Sequence, residues 1–231
     1  MSDRELDASL RDLPTPAAPP FGAELEAELA ALAPVAVRDP KRQLITILAV
    51  AAVFGVIMVF VTGVRRDLGE LPVPWLLAYL AAWVLGFTGL AALTVLPPRG
   101  AMMPRWRIAG LGGMLAAVGF VVAGLLMPRS GPSSVQLSLE ELHRGHYCIE
   151  IGLVTALMPA VGCVVALRGV LPVGARWAAA GLGAAGGCFA GLVLHMHCPI
   201  TDRWHLGFIH GGVVVLSAAL SAAIAPRRMT P

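Results

Sequence analysis

Charged side chains are scarce in this sequence of 231 residues: only 13% of it is Asp, Glu, Lys or Arg, whereas 57% is hydrophobic. The mean hydropathy is +0.77. A soluble domain needs less apolar sequence for its core and more charge for its surface. The composition therefore excludes an ordinary soluble protein and predicts that most of the chain faces lipid.

Lysine is almost missing, since Lys41 is the single lysine among seventeen basic residues. Together with the frequent Ala, Arg, Gly and Pro, this usage is typical of a GC-rich bacterium and favours a bacterial inner membrane. A secretory signal is missing as well, because the first 43 residues are polar and contain no short apolar stretch behind a basic start. We therefore expect residues 1–43 to form a cytoplasmic tail.

Motifs that carry catalysis are also missing. The sequence has no Gly-rich phosphate loop, no Ser between glycines in an elbow, and no paired carboxylates within its apolar runs. No long basic run indicates a nucleic-acid partner. The polar groups that a transporter typically carries at the middle of a span are lacking, and only Pro159 hints at a broken helix. The sequence thus predicts a protein without enzymatic activity.

What the sequence does contain is six apolar runs, each close to the length that crosses a bilayer and separated by proline-containing segments. We predict an all-α, polytopic membrane protein with six transmembrane helices, at residues 44–64, 75–96, 108–127, 149–167, 177–195 and 206–225. The tail precedes them, and residues 226–231 form a short cytoplasmic C-terminus. Gly183, Gly187 and Gly191 recur every four residues in the fifth run and predict a stripe for close helix packing.

The basic residues also predict the orientation, because positive charge is retained in the cytoplasm. With the N-terminus inside, five of the seventeen basic residues fall on the outer face and the other twelve on the inner face. This bias and the even number of spans predict that both termini are cytoplasmic. The pair Arg65-Arg66 on the outer face argues weakly the other way.

The tail carries two short amphipathic patterns on either side of a proline-rich stretch, residues 14–20. Their apolar positions are Leu6 and Leu10 in the first pattern, and Phe21, Leu25, Leu29 and Leu32 in the second. Helices this short are marginal alone in water, so the two stripes predict docking on a partner. The alternative is a disordered tail with incidental leucines.

All six histidines are predicted to lie at the outer face, with His143 and His146 just before the fourth helix. The candidate ligands for a divalent metal ion are His195, His197, His205 and His210, with Cys198 beside them. Imidazole and thiolate are the donors that Zn and Cu prefer. No spacing matches a closed zinc knuckle, and the alternative is that these histidines cap helix ends and bond carbonyl groups.

The cysteines divide into two pairs. Cys148 and Cys198 are predicted at the outer ends of adjacent helices, in a compartment that permits disulfides, so a bond or a reversible dithiol between them is reasonable. Cys163 and Cys188 fall within the spans, where small apolar packing is expected. Glu150, next to Cys148, is the one carboxylate near a helix interior; it is either a functional intramembrane group or a side chain that reaches the interface.

The segment from Cys148 to Gly212 resembles the NrsF-type family of bacterial six-helix membrane anti-sigma factors, which are similar in function to CarR. The matching features are Cys148, Pro159, Leu167-Arg168, the glycines from Gly181 to Gly191, and the run from Leu194 to Pro199. Two details differ from the family pattern: Met196 and His197 extend the motif before Cys198, and Ile200 stands where an acidic residue is expected. The extra histidines either indicate a different signal, such as a metal ion or an oxidant, or have no functional meaning.

The resemblance implies that residues 1–43 hold an ECF-type sigma factor at the membrane and that Cys148 and Cys198 sense the signal. A second hypothesis, from the histidines, is a haem- or metal-binding membrane protein that uses the outer His and Cys residues. A third is a structural scaffold in which these side chains have no role. The oligomeric state is left open by the sequence.

Overall fold

The computed structural model describes residues 39–96, 103–127, 139–168 and 173–229, with the isolated positions 22 and 27; for residues 139–144 it describes the backbone alone. The chain divides into two units, Met1–Arg38 and Asp39–Pro231. In the first unit, Ala27 is helical and exposed. The predicted docking positions of the tail lie outside the described residues: Leu6, Leu10, Phe21, Leu25, Leu29 and Leu32.

The described part of the second unit is all-helical and contains six helices long and apolar enough to cross a membrane, as predicted. We number the helices α1 Pro40–Thr62, α2 Val73–Val95, α3 Arg105–Leu126, α4 Leu139–Ala166, α5 Ala175–His197, α6 Gly211–Ile224 and the short α7 Pro226–Met229. A 3-10 turn, Leu68–Glu70, lies between α1 and α2, and a π-helical segment, His205–His210, leads directly into α6.

Local sequence signals mark the residues at which these helices begin. Asp39 caps α1, because its carboxylate accepts hydrogen bonds from the backbone N–H groups of Lys41 and Arg42, and Pro40 has the backbone angle suited to a first helical residue. Pro72 and Pro104 occupy the cap positions of α2 and α3. The prolines that separate the apolar runs therefore mark helix starts as well as breaks.

The predicted helix bounds are two to four residues late at most starts, and the fourth is wrong by ten: α4 begins at Leu139, whereas the prediction placed it at residue 149. His143 and His146 consequently lie inside α4 and not before it. An apolar run marks only the part of a helix that meets the hydrocarbon, and a helix extends into polar sequence because its backbone hydrogen bonds do not depend on hydropathy. The part of α4 long and apolar enough to span begins at Gly145.

Helix α5 forms the centre of the bundle: 83% of its spanning window is buried, against 11% for α1. Its glycines let the other helices approach closely, because an added Cβ atom would meet a neighbour on each side. These glycines are Gly181 toward α3, Gly186 toward α4, Gly183 and Gly187 toward α6, and Gly191 toward α2. The predicted stripe is thus confirmed at Gly183 and Gly187, whereas Gly191 faces the ring of Trp83 in α2.

Helix α1 packs more loosely at the side of the bundle. Its buried positions are Ile47, Ala51 and Gly55, which recur every four residues and form one narrow stripe. Gly55 lies against the ring of Phe189 in α5. Most other large side chains of α1 are exposed, among them Phe60, which is 84% exposed. Such a helix loses few buried contacts when it shifts.

Candidate functional site

Four side chains with soft or borderline donor atoms meet at the end of the bundle where α4 begins, α5 ends and the π-helical segment begins. They are Cys148, Cys198, His205 and His210, which we call the Cys2His2 cluster; all four are buried, and one donor atom of each lies within 4.8 Å of the others. The Sγ atoms of the two cysteines are 3.7 Å apart. The Sγ atom of Cys198 lies 3.3 Å from Nε2 of His205. Three separate elements therefore contribute to one compact set of donors.

The π-helical segment brings the two histidines together. Residues five apart in an α-helix point about 140° away from each other, because each residue turns the chain by about 100°. A π-helix, with its wider i to i+5 hydrogen bonds, places them one above the other. The N–H of Gly211 accordingly bonds the carbonyl of Leu206. The rings of His205 and His210 meet edge to face, with centroids 5.1 Å apart.

Asp202 holds the start of this segment. Its carboxylate accepts hydrogen bonds from the N–H groups of Trp204 and His205, at 2.9 and 3.0 Å. Its backbone carbonyl accepts the N–H of Leu206. A carboxylate in this position satisfies the free N–H groups of a helix start, and it fixes the backbone that carries His205. This cap was not predicted from the sequence, although Asp three residues before His205 is a recognisable signal for one.

The environment favours the thiolate of Cys198. A hydrogen bond from the thiol of Cys148, with a further one from His205, lowers the pKa of Cys198 below its ordinary range, against the opposing effect of burial. The buried apolar side chains beside the cluster include Leu194 and Ile209. Cys198 is therefore suited to act as a nucleophile or as a metal ligand.

Arg65 fastens the end of α5 beside the cluster. Its side chain is only 1% exposed and forms an ion pair with Asp67 at 2.7 Å. The guanidinium also donates to the carbonyls of His195 and Pro199, at 3.3 and 3.2 Å, and the backbone N–H of Arg65 donates to the carbonyl of Met196. Carbonyls at a helix end lack hydrogen-bond donors within the helix, and Arg65 supplies these donors. The hydrogen bond to Arg65 lowers the pKa of Asp67 below its ordinary 3.8.

His195 lies apart from the Cys2His2 cluster. Its ring is fully buried, packs 5.0 Å from Trp75 and 5.3 Å from Tyr79 between centroids, and neither ring nitrogen forms a hydrogen bond. Trp75 and Tyr79 both donate to the carbonyl of Met127 at the end of α3. This arrangement belongs to an aromatic packing core at the same end of the bundle.

Two further residues singled out from the sequence also lie outside the cluster. His197 is partly exposed, and its Nδ1 lies 3.0 Å from the carbonyl of Gly63, to which it donates. Glu150 is exposed on α4. The structure therefore brings together two of the four predicted histidine ligands and both outer cysteines. Cys163 and Cys188 are buried deeper in the bundle, as expected.

Comparison with protein families matches the profile of NrsF, described as "Negative regulator of sigma F", to residues 29–230. Neither a curated protein nor a solved structure gives a significant match. The matched range contains all six spans and the whole Cys2His2 cluster, and it extends the resemblance carried by Cys148 to Gly212 to nearly the full chain. The chain belongs to the NrsF family, the negative regulators of sigma F.

Proposed function

We propose that this protein is a membrane-bound anti-sigma factor that sequesters an ECF-type sigma factor through its N-terminal tail and releases it when Cys148 and Cys198 receive a signal. Family membership makes it a negative regulator of a sigma factor. The single observation that supports a sensor is the contact between the two thiols, 3.7 Å apart at one end of the bundle. In this proposal the chain is a regulator without enzymatic activity, in a bacterial inner membrane, with both termini cytoplasmic.

The thiol pair is positioned for a disulfide. The thiolate of Cys198 and the thiol of Cys148 would form one S–S bond and give up two electrons, which reduce a two-electron oxidant such as hydrogen peroxide to two waters. One of the two protons that this reduction needs comes from the thiol of Cys148 and the other from solvent. Bond formation draws the sulfur atoms roughly 1.6 Å closer, to the usual length of about 2.05 Å. Because Cys148 belongs to α4 and Cys198 follows α5, the reaction moves the ends of two helices relative to each other.

Helix α1 joins this end of the bundle to the tail. Where α1 ends, the carbonyl of Gly63 accepts from His197 and Arg65 bonds the last carbonyls of α5. Where α1 begins, its cap Asp39 directly follows Met1–Arg38, which holds the predicted docking positions of the tail. A shift at the end of α5 is therefore transmitted to α1, the least buried span, and reaches the sigma-binding segment at its other end. Helix shifts of this kind are a common way for membrane sensors and allosteric proteins to change state.

Affinity capture from native membranes tests the anti-sigma role. The baits are the tagged full-length protein, a double variant L25E/L29E, and the matched control A27E, which adds a negative charge on the opposite side of the same predicted helix. We expect one sigma factor with the full-length bait and with A27E, and its loss with L25E/L29E. Recovery of no sigma factor with any bait would contradict the proposal.

Thiol trapping tests the sensing pair. Membranes treated with peroxide and then alkylated are expected to yield an intramolecular disulfide in the native chain and in the control variants C163S and C188S. Neither C148S nor C198S forms it, and both are expected to keep the sigma factor bound after peroxide treatment. Release of the sigma factor from C148S would show that the signal does not pass through these thiols.

The haem hypothesis has its own measurement. Purified protein with visible haem absorbance would favour a haem-binding function that uses the outer residues His195, His197, His205, His210 and Cys198, whereas a colourless preparation would contradict it. The structure offers less support to this hypothesis, because the rings of His195 and His197 lie in separate environments: the first packs against aromatic side chains, and the second is bonded to the end of α1.

A further inference from the structure

We propose that the Cys2His2 cluster binds one d10 transition-metal ion of the Zn²⁺ class, with Cys148, Cys198, His205 and His210 as its four ligands. The set differs from the one expected from sequence, which placed Cys198 beside four histidines: Cys148 joins the set, and His195 and His197 are left out. A role of the ion as the signal for sigma-factor release rests on the proposed function, whereas metal binding itself does not.

The distances fit a tetrahedral ion. Zn–S bonds of about 2.3 Å place two thiolate sulfurs about 3.8 Å apart in a tetrahedron, and the two sulfur atoms lie 3.7 Å apart. A thiolate and an imidazole ligand are separated by about 3.6 Å in the same geometry, and Cys198 Sγ lies 3.3 Å from His205 Nε2. All four donor atoms lie within 4.8 Å of one another. Small side-chain movements are enough to close the shell.

An unpartnered histidine points to a missing ligand. His210 is 1% exposed, and both of its ring nitrogens lack a hydrogen-bond partner. Buried polar atoms without partners are costly, so they are rare unless an ion or a water completes them. A ring nitrogen of His210 takes part in the four-atom group with the two sulfurs. A metal ion at the centre of the cluster supplies its partner.

Charge also fits. Two thiolates balance the charge of Zn²⁺, so two thiolates with two neutral imidazoles leave the loaded site with no net charge. Buried apolar side chains, including Leu194 and Ile209, pack beside the cluster, and a neutral site is the form that such neighbours tolerate. Sulfur and nitrogen donors in a tetrahedron select Zn²⁺ or a similar soft ion over Mg²⁺ or Ca²⁺.

The site lies at one end of the membrane spans. Cys148 is in the first turn of the spanning part of α4, and Cys198 is the first residue after α5. An ion therefore reaches these thiols from one membrane face without crossing the hydrocarbon core. The two thiols are then open to two alternative events. They bind a metal ion together with His205 and His210, or they form a disulfide with each other, and each event consumes both thiols.

The test uses full-length protein, purified with a reductant and loaded with Zn²⁺ or Co²⁺. We expect one Zn²⁺ per chain by elemental analysis, and a Co²⁺ form with the intense visible bands of a tetrahedral site and the charge-transfer band of thiolate ligands. C148S, H205Q and H210Q are expected to bind at least about tenfold more weakly, the loss typical even of removing an outer-shell partner. The controls C163S and H197Q, which lie outside the cluster, are expected to bind as the native chain does.

Absence of stoichiometric Zn²⁺ together with absence of the Co²⁺ thiolate band in native protein would overturn the proposal, and this result does not depend on whether any variant folds. Binding that survives in H205Q and H210Q alike would overturn the ligand set. Capture of the sigma factor from the same preparation is the independent readout: a protein that holds its sigma factor but no metal retains the anti-sigma function and loses the metal site.

Discussion

Arg65 shows how much one buried side chain contributes at this end of the molecule. R65M would leave the carbonyls of His195 and Pro199 without a donor and Asp67 without its cation. We expect a loss of about 1–3 kcal/mol in the free energy of unfolding, the cost of unsatisfied buried groups. Thermal unfolding of the purified protein measures it. The neighbouring, exposed Arg66 provides the matched control R66M, for which we expect a change within about 0.5 kcal/mol.

The pH dependence of this ion pair has a definite sign. Because the pKa of Asp67 is lowered below 3.8 in the folded chain, the pair contributes fully to stability above that value and is lost as the pH falls through the lowered pKa. The difference in unfolding temperature between native protein and R65M should therefore be constant from pH 5 to pH 7. A difference that disappears within this range would contradict the assigned partner.

The residues of the site also show what sequence can and cannot predict. The outer cysteines are identifiable because each stands at the end of an apolar run, and the run itself predicts the helix. From the sequence, Arg65 served only as evidence about orientation. Its structural role could not be predicted, because a carbonyl that it bonds lies in a helix 130 residues away. His205 and His210 were among the four candidate histidines, but the sequence did not predict that these two meet, because five-residue spacing separates them on an α-helix and brings them together only on a π-helix.

At the scale of elements, α5 depends on glycines where other helices approach. A Cβ atom added at Gly187 would lie 2.5 Å from the Cα atom of Val214 in α6. We expect G187A to lose about 1–3 kcal/mol in the free energy of unfolding, because the backbones must separate. In α2, Gly89 has open space around such a Cβ atom, so G89A should be neutral or slightly stabilising. Equal effects of the two substitutions on thermal unfolding would contradict this packing.

The π-helical segment is the second element with a testable role. Inserting one alanine after the half-exposed Phe208 separates His205 and His210 by six residues, which turns them about 120° apart on an α-helix of about 100° per residue. We expect this insertion to weaken Zn²⁺ binding at least about tenfold, while F208A, which keeps the segment length, binds as the native chain does. Retained capture of the sigma factor shows that the lengthened protein is folded. Unchanged Zn²⁺ affinity in the insertion variant would show that the spacing of the two histidines in the π-helical segment does not build the site.

At the scale of the whole molecule, six spans were predictable because lipid imposes length and apolarity on every crossing segment. Their arrangement around α5 was not, since hydropathy does not say which helix is central. The small residues of the fifth run were the available signal, and they fit the helix that is 83% buried. The looser α1 then remains as the span that joins the cluster end to the tail.

The central claim is that a change at the cysteines reaches the tail through the membrane domain. Its most direct test is the amount of sigma factor that stays bound to full-length protein in native membranes before and after addition of peroxide or Zn²⁺, measured in parallel for C148S and the control C163S. We predict release from the native chain and from C163S, and retention by C148S. Sigma factor that stays bound to the native chain under both signals, or that leaves C148S equally well, would contradict the account.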